Sequence, residues 1–286
     1  MQIAIASGKG GTGKTTIATN LACFWQKQMK KKIVLLDCDV EEPNCHLFLK
    51  PTWHSSQKAT AKIPSINLEQ CTYCGKCSDL CQFGAISCLK DNVLVFPELC
   101  HSCGGCTLVC PTKAIIEVEK ELGEIKIGAQ DNLQIIHGYL KIGEPMSPPL
   151  IRKVKEQATQ EDLIIVDCPP GTSCPVIEAL KGSDFVLLIT EPTPFGLHDL
   201  KLAVEVVRDL KIPFAVGINR STLGNSALKD YCARENIPII LEIPHERNIA
   251  IAYSEGELLL KKFPQYEKNF APLWSYIQEV ISSCKN

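Results

Sequence analysis

Two cysteine runs with the same internal spacing place the strongest limit on how this chain can fold. Both runs read C-x2-C-x2-C-x3-C, and together they lie within forty residues. The eight residues are Cys71, Cys74, Cys77, Cys81, Cys100, Cys103, Cys106 and Cys110. Eight cysteines at one repeated spacing are not a chance arrangement. This part of the chain is therefore expected to fold around ligated metal.

This spacing is the one that bacterial ferredoxins use to hold two [4Fe-4S] clusters, where the fourth cysteine of each run ligates the other run's cluster. We therefore expect one cluster on Cys71, Cys74, Cys77 and Cys110, and the second on Cys100, Cys103, Cys106 and Cys81. Zinc is an alternative, although structural zinc sites usually show two C-x2-C pairs. Disulfides are a second alternative, and they require an oxidising compartment.

The cysteine segment also contains an internal duplication. Residues 68–89 and 97–118 repeat one plan, in which three closely spaced cysteines are followed by Cys-x-x-x-Ala-Ile. Short strands are expected near Ile66 and over 93–96. The sequence thus predicts a small α+β ferredoxin-like domain, inserted over residues 62–119.

A second motif lies at the start of the chain. Residues 2–7 form a short apolar run, a Gly-rich loop follows, and apolar residues then recur at helical spacing. The loop fits the phosphate-binding pattern G-x4-G-K-[ST]. The expected nucleotide-binding residues are Gly8, Gly10, Gly11, Thr12, Gly13, Lys14, Thr15 and Thr16. Lys14 should reach the β- and γ-phosphates, and the Thr15 hydroxyl should hold Mg²⁺.

Acidic residues end two further apolar runs. Residues 33–36 lead into Asp37 and Asp39, and residues 163–166 lead into Asp167. Carboxylates at the carboxyl ends of strands lie where open α/β sheets bind ligands. We expect Asp167 to act on Mg²⁺ through water, and Asp37 to be a weaker candidate for the same ion.

The remaining pattern alternates strands and helices. Apolar runs over 185–190 and 214–219 indicate two more strands, and a helical pattern around Leu200 separates them. The sequence predicts an α/β fold with a doubly wound, mostly parallel sheet. We expect the ATPase domain in two parts, residues 1–61 and 120–286.

Composition sets limits on partners and compartment. The 286 residues are 45% hydrophobic and 22% charged, with a formal net charge of −2. The composition has no excess of basic residues, so it does not favour nucleic-acid binding. No leader precedes the first strand, and no apolar run approaches the roughly 18 residues of a spanning helix. We therefore expect a cytoplasmic protein with neither nucleic-acid nor membrane partners.

The phosphate loop has an additional lysine near its start, Lys9. In this respect it resembles the deviant Walker A motif of the MinD/ParA group, which includes nitrogenase iron protein and the Mrp-type cluster carriers. The resemblance extends to the segments 36–39, 166–172 and 217–220. Together with the cysteine insertion, the chain resembles the MinD-superfamily P-loop ATPases that contain an inserted ferredoxin domain.

The resemblance implies roles for individual residues. Lys9 corresponds to the signature lysine that reaches the partner subunit's phosphates, and Asp39 to the residue that orients the attacking water. Asp167 corresponds to the Walker B carboxylate. Asn219, with Arg220 beside it, corresponds to the adenine contact. The family's ATP-bridged dimers imply a homodimer, or a heterodimer with a paralogous ATPase.

Two further segments bear on function. Mrp-type carriers hold a bridging cluster on a C-terminal C-x2-C, and this chain has no C-x2-C outside the two runs. From Tyr266 onward, apolar residues recur at helical spacing with few basic residues, which favours a helix packed on the domain over a membrane-binding helix. Most cysteines outside the runs are expected to be small buried residues, and Cys174 is included among them.

Three functions are compatible with these features. The first is an ATPase whose dimer switch is coupled to electron transfer through two [4Fe-4S] clusters. The second is an iron-sulfur or metallocofactor assembly ATPase, and the third is a partition or positioning ATPase with structural or redox-sensing clusters. ATP or ADP, Mg²⁺ and two clusters are the expected cofactors, and a redox or metallocofactor protein of unknown identity is the expected partner.

Overall fold

The computed structural model describes residues 1–29, 32–158 and 163–284. The predicted ATPase parts also include residues 30–31, 159–162 and 285–286, which lie outside the described residues. The strands are β1 (Gln2–Ala6), β2 (Ile33–Asp37), β3 (Thr52–Ile66), β4 (Ile86–Cys88), β5 (Val93–Val95), β6 (Ile115–Gln130), β7 (Leu133–Leu140), β8 (Leu163–Asp167), β9 (Phe185–Thr190), β10 (Phe214–Ile218) and β11 (Ile239–Glu242).

Within the described residues, nine of these strands form one sheet in the order β11-β10-β9-β1-β8-β2-β7-β6-β3. Every neighbouring pair from β11 to β7 is parallel, whereas β6 pairs antiparallel with both β7 and β3. The predicted doubly wound, mostly parallel sheet is confirmed. The five ATPase strands expected from apolar runs are present as β1, β2, β8, β9 and β10.

Helices cover both faces of the sheet. The described helices are α1 (Lys14–Gln28), α2 (Cys45–Leu49), α3 (Lys76–Leu80), α4 (Gly105–Val109), α5 (Pro148–Lys155), α6 (Cys174–Leu180), α7 (Pro194–Asp209), α8 (Ala227–Arg234), α9 (Arg247–Ser254), α10 (Leu259–Lys262), α11 (Glu267–Phe270) and α12 (Leu273–Cys284). Two 3-10 turns are also present, Pro97–Leu99 and Pro264–Tyr266.

Alternation along the strands sends side chains to two separate apolar layers. Ile3 and Ile5 of β1 lie in one layer with α1 and the C-terminal helices, while Ala4 and Ala6 lie in the other with α5 to α8. Such two-sided burial explains why these strands read as continuous apolar runs instead of alternating ones.

A long two-stranded ribbon carries the cysteine segment. β3 and β6 stay paired from Thr52↔Ala129 at the sheet edge to Ile66↔Ile115 at the far end. The strand expected near Ile66 is present, but it is not short, because Ile66 ends a strand of 15 residues. Both predicted domain boundaries fall inside this ribbon, where Lys62 pairs with Glu119.

Beyond the ribbon, the cysteine segment forms a small unit with two matching halves. The predicted short strand over 93–96 is present as β5, and it pairs antiparallel with β4. One short helix contains the third cysteine of each run, and α3 packs against α4. The duplication seen in the sequence is thus also a duplication of structure.

Two elements differ from the sequence-based expectation. The strand β7 was not predicted, because its run Leu-Gln-Ile-Ile-His-Gly-Tyr-Leu mixes polar and apolar residues. The C-terminal segment is not one helix, since it breaks before Pro272 into α11 and α12. Its packing on the domain is as expected, because Trp274 of α12 contacts Trp25 of α1 with ring centroids 5.3 Å apart.

In the parts of the chain that the structure describes, no helix has the length and apolar character needed to span a membrane.

The ribbon should contribute to stability at its base and not along its outer half. Ile125 is buried at 2% exposure, whereas Ile116 of the same strand is 59% exposed. Ile125→Ala should lower the free energy of unfolding of the ATPase domain by about 2–5 kcal/mol. The matched change Ile116→Ala should stay within about 0.5 kcal/mol of wild type. Denaturant unfolding, followed by far-ultraviolet circular dichroism, measures both; equal losses would contradict the proposed division of the ribbon.

Candidate functional site

The phosphate loop between β1 and α1 depends on left-handed backbone at two glycines. Gly11 has a φ of 75° and Gly13 a φ of 96°, values that favour glycine. A Cβ atom at Gly13 would also overlap the side-chain amide of Asn219. That amide donates a hydrogen bond to the carbonyl oxygen of Thr12 at 2.9 Å. Asn219, directly after β10, therefore stabilises this conformation of the loop.

The loop's basic and hydroxyl residues meet a carboxylate from β8. Lys14 begins α1 and is buried, and the Thr15 hydroxyl donates to Asp167 Oδ2 at 2.6 Å. The other oxygen, Oδ1, is buried and has no hydrogen-bond partner among the described residues. Burial raises the pKa of Asp167, and the Lys14 charge opposes that shift. A hard cation bound between Thr15 and Asp167 would satisfy both carboxylate oxygens of Asp167. A hydroxyl and a carboxylate are ligands that suit Mg²⁺.

Asp37 organises the segment after β2. Its Oδ2 accepts hydrogen bonds from the backbone N–H groups of Asn44 and Cys45, both at 2.9 Å, and its Oδ1 accepts from Asp39 N at 3.2 Å. Burial, with the charge of Asp167 adding to it, raises the pKa of Asp37. The sequence predicted Asp37 as a weaker candidate ligand for Mg²⁺. In the structure its carboxylate is instead hydrogen-bonded to the backbone of this segment.

Cys45 is a buried thiol that sequence reasoning did not single out. Its Sγ lies 3.3 Å from Asp167 Oδ2, and the ligand atoms of Asp37, Cys45 and Asp167 all lie within 4.8 Å of one another. The carboxyl ends of β2 and β8 bring these groups together. Two strand ends and the start of α2 therefore place three groups that can ligate a metal ion close together.

Asp39 lies further out, on the wall of the open cleft beside the phosphate loop. Burial, increased by the charge of Asp167 and opposed by that of Lys14, raises the pKa of Asp39 to about 6. Its half-buried carboxylate thus lines the same cleft as the phosphate loop.

The far half of the cleft was missed by sequence reasoning. The wall opposite the loop comes from the segment after β11 together with α9, and it includes Ile243, Pro244, Ile249 and Tyr253. These side chains give an apolar surface next to Asn219 and Arg220. No motif marks this segment, so its position becomes known only when β11 is added to the sheet edge.

Lys9 and Arg220 share one carboxylate in this structure. Lys9 Nζ lies 2.5 Å from Glu191 Oε1, and an Arg220 guanidinium nitrogen lies 2.8 Å from Glu191 Oε2. Glu191 is 8% exposed, and the two cations lower its pKa although burial opposes that shift. Sequence reasoning missed Glu191 as a site residue, although an acidic residue directly after β9 was a usable signal. The Arg220 side chain also borders the cleft.

The other expected features of the loop region are mostly in place. A Cβ atom at Gly8 would overlap the backbone of Asp199 in α7, so this close approach requires glycine. Cys168 is buried behind the site, as expected. Cys174 is not: it is exposed at the first position of α6, so the expectation of a buried thiol there is wrong. The helix starts at this position, and its preceding loop faces solvent.

The cysteine runs surround two cavities in the inserted unit. The expected first set lines one of them, and the expected second set lines the other. The first cavity contains Cys71, Cys74, Cys77 and Cys110, and the second contains Cys81, Cys100, Cys103 and Cys106. Cys77 also borders the second cavity, and Cys88 borders the first.

Backbone N–H groups point at cysteine sulfur in both sets. Ala114 N donates to Cys110 Sγ at 3.2 Å, and Ser102 N donates to Cys100 Sγ at 3.4 Å. Burial acts to raise the pKa of Cys110, but hydrogen bonds from Thr112 and Ala114 outweigh this effect and lower the pKa. Thiolate sulfur in a cavity with amide donors is the donor set that iron-sulfur clusters use, so the residues present fit two such clusters.

The nucleotide site has the features of one class of protein. A Gly-rich loop joins a central parallel strand to a helix, a buried lysine comes next, and carboxylates stand at the ends of two neighbouring strands. This is a P-loop nucleotide-binding site. A sequence profile described as "CobQ/CobB/MinD/ParA nucleotide binding domain" matches residues 3–260, and the chain belongs to this family. It is a P-loop ATPase of the MinD/ParA type.

Relatives of known sequence extend over nearly the whole chain. An uncharacterized protein of Methanocaldococcus jannaschii is 32% identical, over 99% of this chain and 97% of its own length. A second uncharacterized protein of that organism is 37% identical, over 79% of this chain and 80% of its own length. A protein of Aquifex aeolicus named iron-sulfur cluster carrier protein is 24% identical, over 99% of this chain and 69% of its own.

Among solved structures, the septum site-determining protein MinD of Pyrococcus horikoshii, complexed with Mg-ADP, is similar with a TM-score of 0.58. It is 19% identical, and the match covers 98% of both chains. At this identity the likeness concerns the fold alone.

Gly13 gives a direct test of the loop. Gly13→Ala should weaken ATP binding at least about tenfold, because the new Cβ would displace Asn219 from Thr12. Gly182→Ala is the matched control: Gly182 also has positive φ, at 74°, but nothing lies within 4 Å of its Cβ position. Isothermal titration calorimetry with Mg-ATP measures both. Equal affinities in the two variants would contradict the role given to the Asn219 contact.

Proposed function

We propose that this protein is an ATPase in which an ATP-driven dimer switch is coupled to electron transfer through two [4Fe-4S] clusters. The observation that carries the proposal is the ribbon. It joins the cysteine unit to the ATPase sheet by continuous strand pairing, and it begins beside the segment that surrounds the nucleotide site.

The cysteine cavities support the cofactor part of the proposal. Four cysteines of the predicted composition border each cavity, drawn from both runs. When bound, [4Fe-4S] clusters accept and release single electrons. In the nucleotide site, Thr15 and Asp167 would hold Mg²⁺, Lys14 would neutralise phosphate charge, and Asp39 would orient the attacking water.

The first step of the coupling route links the nucleotide site to the end of β7. Asp37 fixes the backbone of residues 39–45, which includes Asp39. Within that segment, the Val40 carbonyl accepts a hydrogen bond from Leu140 N at 2.8 Å. The next residue, Lys141, donates its N–H to the Leu122 carbonyl of β6 at 2.9 Å. A change at Asp39 therefore reaches the ribbon through two backbone contacts.

The second step links the ribbon to the second cysteine run. Glu144, in the turn after β7, forms an ion pair with Lys120 of β6 at 2.6 Å, and their side chains are 4% and 20% exposed. Lys120 Nζ also donates to the Pro97 carbonyl at 3.3 Å. Pro97 begins the 3-10 turn that ends just before Cys100. This buried pair thus connects the ATPase domain to one cluster site.

The resemblance supports the dimer part of the proposal. In this proposal Lys14 binds the phosphates of its own subunit, and Lys9 is held by Glu191. A lysine kept off its own nucleotide is available for the nucleotide of another subunit. Dimer formation would then exchange the Lys9–Glu191 pair for a contact with the partner's phosphate.

An assembly function is the second candidate. It is supported by the relatives named iron-sulfur cluster carrier proteins, of Aquifex aeolicus and of Pyrococcus horikoshii, at 24% and 25% identity. Four thiolate ligands for each cluster favour clusters that stay bound over clusters that are transferred. A positioning function has weaker support, since the likeness to MinD structures is one of fold.

The dimer switch can be tested with ATP held unhydrolysed. Asp39→Ala should bind ATP and sediment as a dimer, because only the water-orienting carboxylate is lost. Lys9→Ala in the same background should still bind ATP, but sediment as a monomer. Lys14→Ala is the control that should bind no ATP. Analytical ultracentrifugation supplies the readout, and a dimer of the Lys9 variant with ATP would remove the trans-lysine from the mechanism.

The coupling route can be tested at Lys120. In the Asp39→Ala background, ATP should shift the reduction potential of one cluster, since coupling between linked sites is typically about 1–3 kcal/mol. Lys120→Met should remove this shift and leave ATP affinity unchanged. Lys58→Met is the matched control, because Lys58 forms an exposed ion pair with Glu121 on the same ribbon. Redox titration followed by electron paramagnetic resonance measures the shift.

Lys120→Met leaves Glu144 as a buried charge without its partner, so a second variant is needed. Lys120→Met combined with Glu144→Gln removes both charges and keeps the side-chain shapes similar. It should also lose the ATP-dependent shift. A shift of wild-type size in this double variant would show that the nucleotide acts on the clusters by another route, or not at all.

A further inference from the structure

The two halves of the cysteine unit correspond residue by residue, at an offset of 29 positions, as from 71 to 100. Ile86 pairs with Val95 in the small hairpin, and Ile115 pairs with Ile66 in the ribbon at the equivalent place. The closing hydrogen bonds also match: Phe96 N donates to Ala85 O and Asn67 N to Ala114 O, both at 2.8 Å. The left-handed residues match in three pairs: Tyr73 with Ser102, Gly75 with Gly104, and Gly84 with Lys113.

This offset makes Cys88 and Glu117 equivalent. Cys88 ends β4 opposite Val93, and Glu117 lies in β6 opposite Pro64, which is 29 positions before Val93. Each residue borders the cavity of its own half: Cys88 lines the first, and Glu117 lines the second. The same place in the two halves therefore presents a thiol to one cluster site and a carboxylate to the other.

The Glu117 carboxylate is close to the second run. A Cβ atom at Gly104, between Cys103 and Cys106, would lie 3.3 Å from Glu117 Oε1. Its charge is only loosely compensated, since Lys62 Nζ is 3.8 Å from Oε2 and the lysine side chain is 68% exposed. Cys88 lines the first cavity together with Cys77 of the first run.

A second equivalent pair also differs in charge. Lys76 borders the first cavity and its counterpart is Gly105, whereas the lysine that borders the second cavity is Lys62, which is already paired with Glu117. Other charges nearby are more exposed to solvent or are compensated. Asp79 Oδ2 would lie 3.8 Å from a Cβ atom at Gly75, the counterpart of Gly104, but Asp79 is exposed and does not line the first cavity. Lys120, near Cys100, is paired with Glu144 at 2.6 Å. His101 borders the second cavity and stacks on Phe83.

We propose that Cys88 and Glu117 are positioning residues that make the two clusters unequal, so that the cluster on Cys71, Cys74, Cys77 and Cys110 has the higher reduction potential. The inference rests on the proposed presence of both clusters. Reduction adds one negative charge to a cluster. A carboxylate beside the second cluster opposes that charge, whereas a neutral thiol with a nearby lysine at the first does not.

The charge at each of the two positions can be changed by substitution without altering any cluster ligand. Glu117→Gln keeps the side-chain shape and removes the charge, and Cys88→Asp adds a carboxylate at the equivalent place. Both proteins are reconstituted anaerobically with iron and sulfide, beside wild type, and are titrated with dithionite without nucleotide. Electron paramagnetic resonance follows the two one-electron transitions separately.

Wild type should show two transitions separated by at least tenfold in equilibrium constant, which is about 59 mV for one electron. Glu117→Gln should raise the lower transition and leave the upper one in place. Cys88→Asp should lower the upper transition and leave the lower one in place. Equal wild-type potentials, or both variants moving the same transition, would overturn the proposal.

Cluster content separates this inference from the function on which it rests. About eight iron and eight sulfide per chain are expected in every variant. A finding of stoichiometric zinc without sulfide would contradict the presence of the clusters, and therefore the proposed function as well. Full iron content with equal potentials would overturn only the inference. Should Cys88→Asp load poorly, Cys88→Ser combined with Lys76→Met removes the first-site lysine instead, and must lower the upper transition if the proposal holds.

Discussion

The paired strands β3 and β6 are the constraint on which the rest of the arrangement depends. Their ladder is continuous from the sheet edge to the closing hydrogen bond between Asn67 and Ala114, so the cysteine unit cannot move without the ribbon. The register shifts between Ala59 and Thr60, which leaves Leu122 as an extra residue on β6. A bulge bends its strand and increases the local twist. Leu122 is also the residue whose carbonyl is held by Lys141, so the ribbon leaves the sheet where it is tied to the end of β7.

Burial of acidic groups gives the nucleotide site its chemical character. Asp37 and Asp167 are both fully buried, and burial raises the pKa of each. Three backbone N–H groups stabilise Asp37, whereas Asp167 keeps one oxygen unsatisfied among the described residues. A buried carboxylate oxygen without a partner is costly unless a cation completes it. The two carboxylates therefore differ in role: Asp37 stabilises the backbone of the following segment, whereas Asp167 has an oxygen that suits the Mg²⁺ of the proposed function.

The sequence predicted what is local and periodic. The phosphate loop, the five apolar strands and the duplicated cysteine plan were all visible, because each depends on residues a few positions apart. The ribbon was not visible beyond its tip, since residues 52–58 are polar and exposed on both faces. β7 was missed because His137 and Gly138 interrupt its apolar run. Glu191 and Glu144 were not assigned either, because their partners Lys9 and Lys120 are 182 and 24 positions away. The position of Glu191 directly after β9 was a local signal that went unused.

The duplication also makes the contact with the ATPase domain one-sided. At the offset of 29 positions, the counterpart of Lys120 is Asp91 and that of Pro97 is Leu68. Asp91 has the opposite charge and is exposed in the small hairpin, so the first half has no equivalent of the buried Lys120–Glu144 pair. The ribbon strand β6 continues from the second half of the unit, and Glu144 is paired with that strand. The two halves of the cysteine unit thus have equivalent backbones but different surroundings, because the Lys120–Glu144 pair links only the second half to the ATPase domain. Any signal carried by this pair acts first on the cluster site of Cys100, and reaches the other site through the packing of α3 on α4.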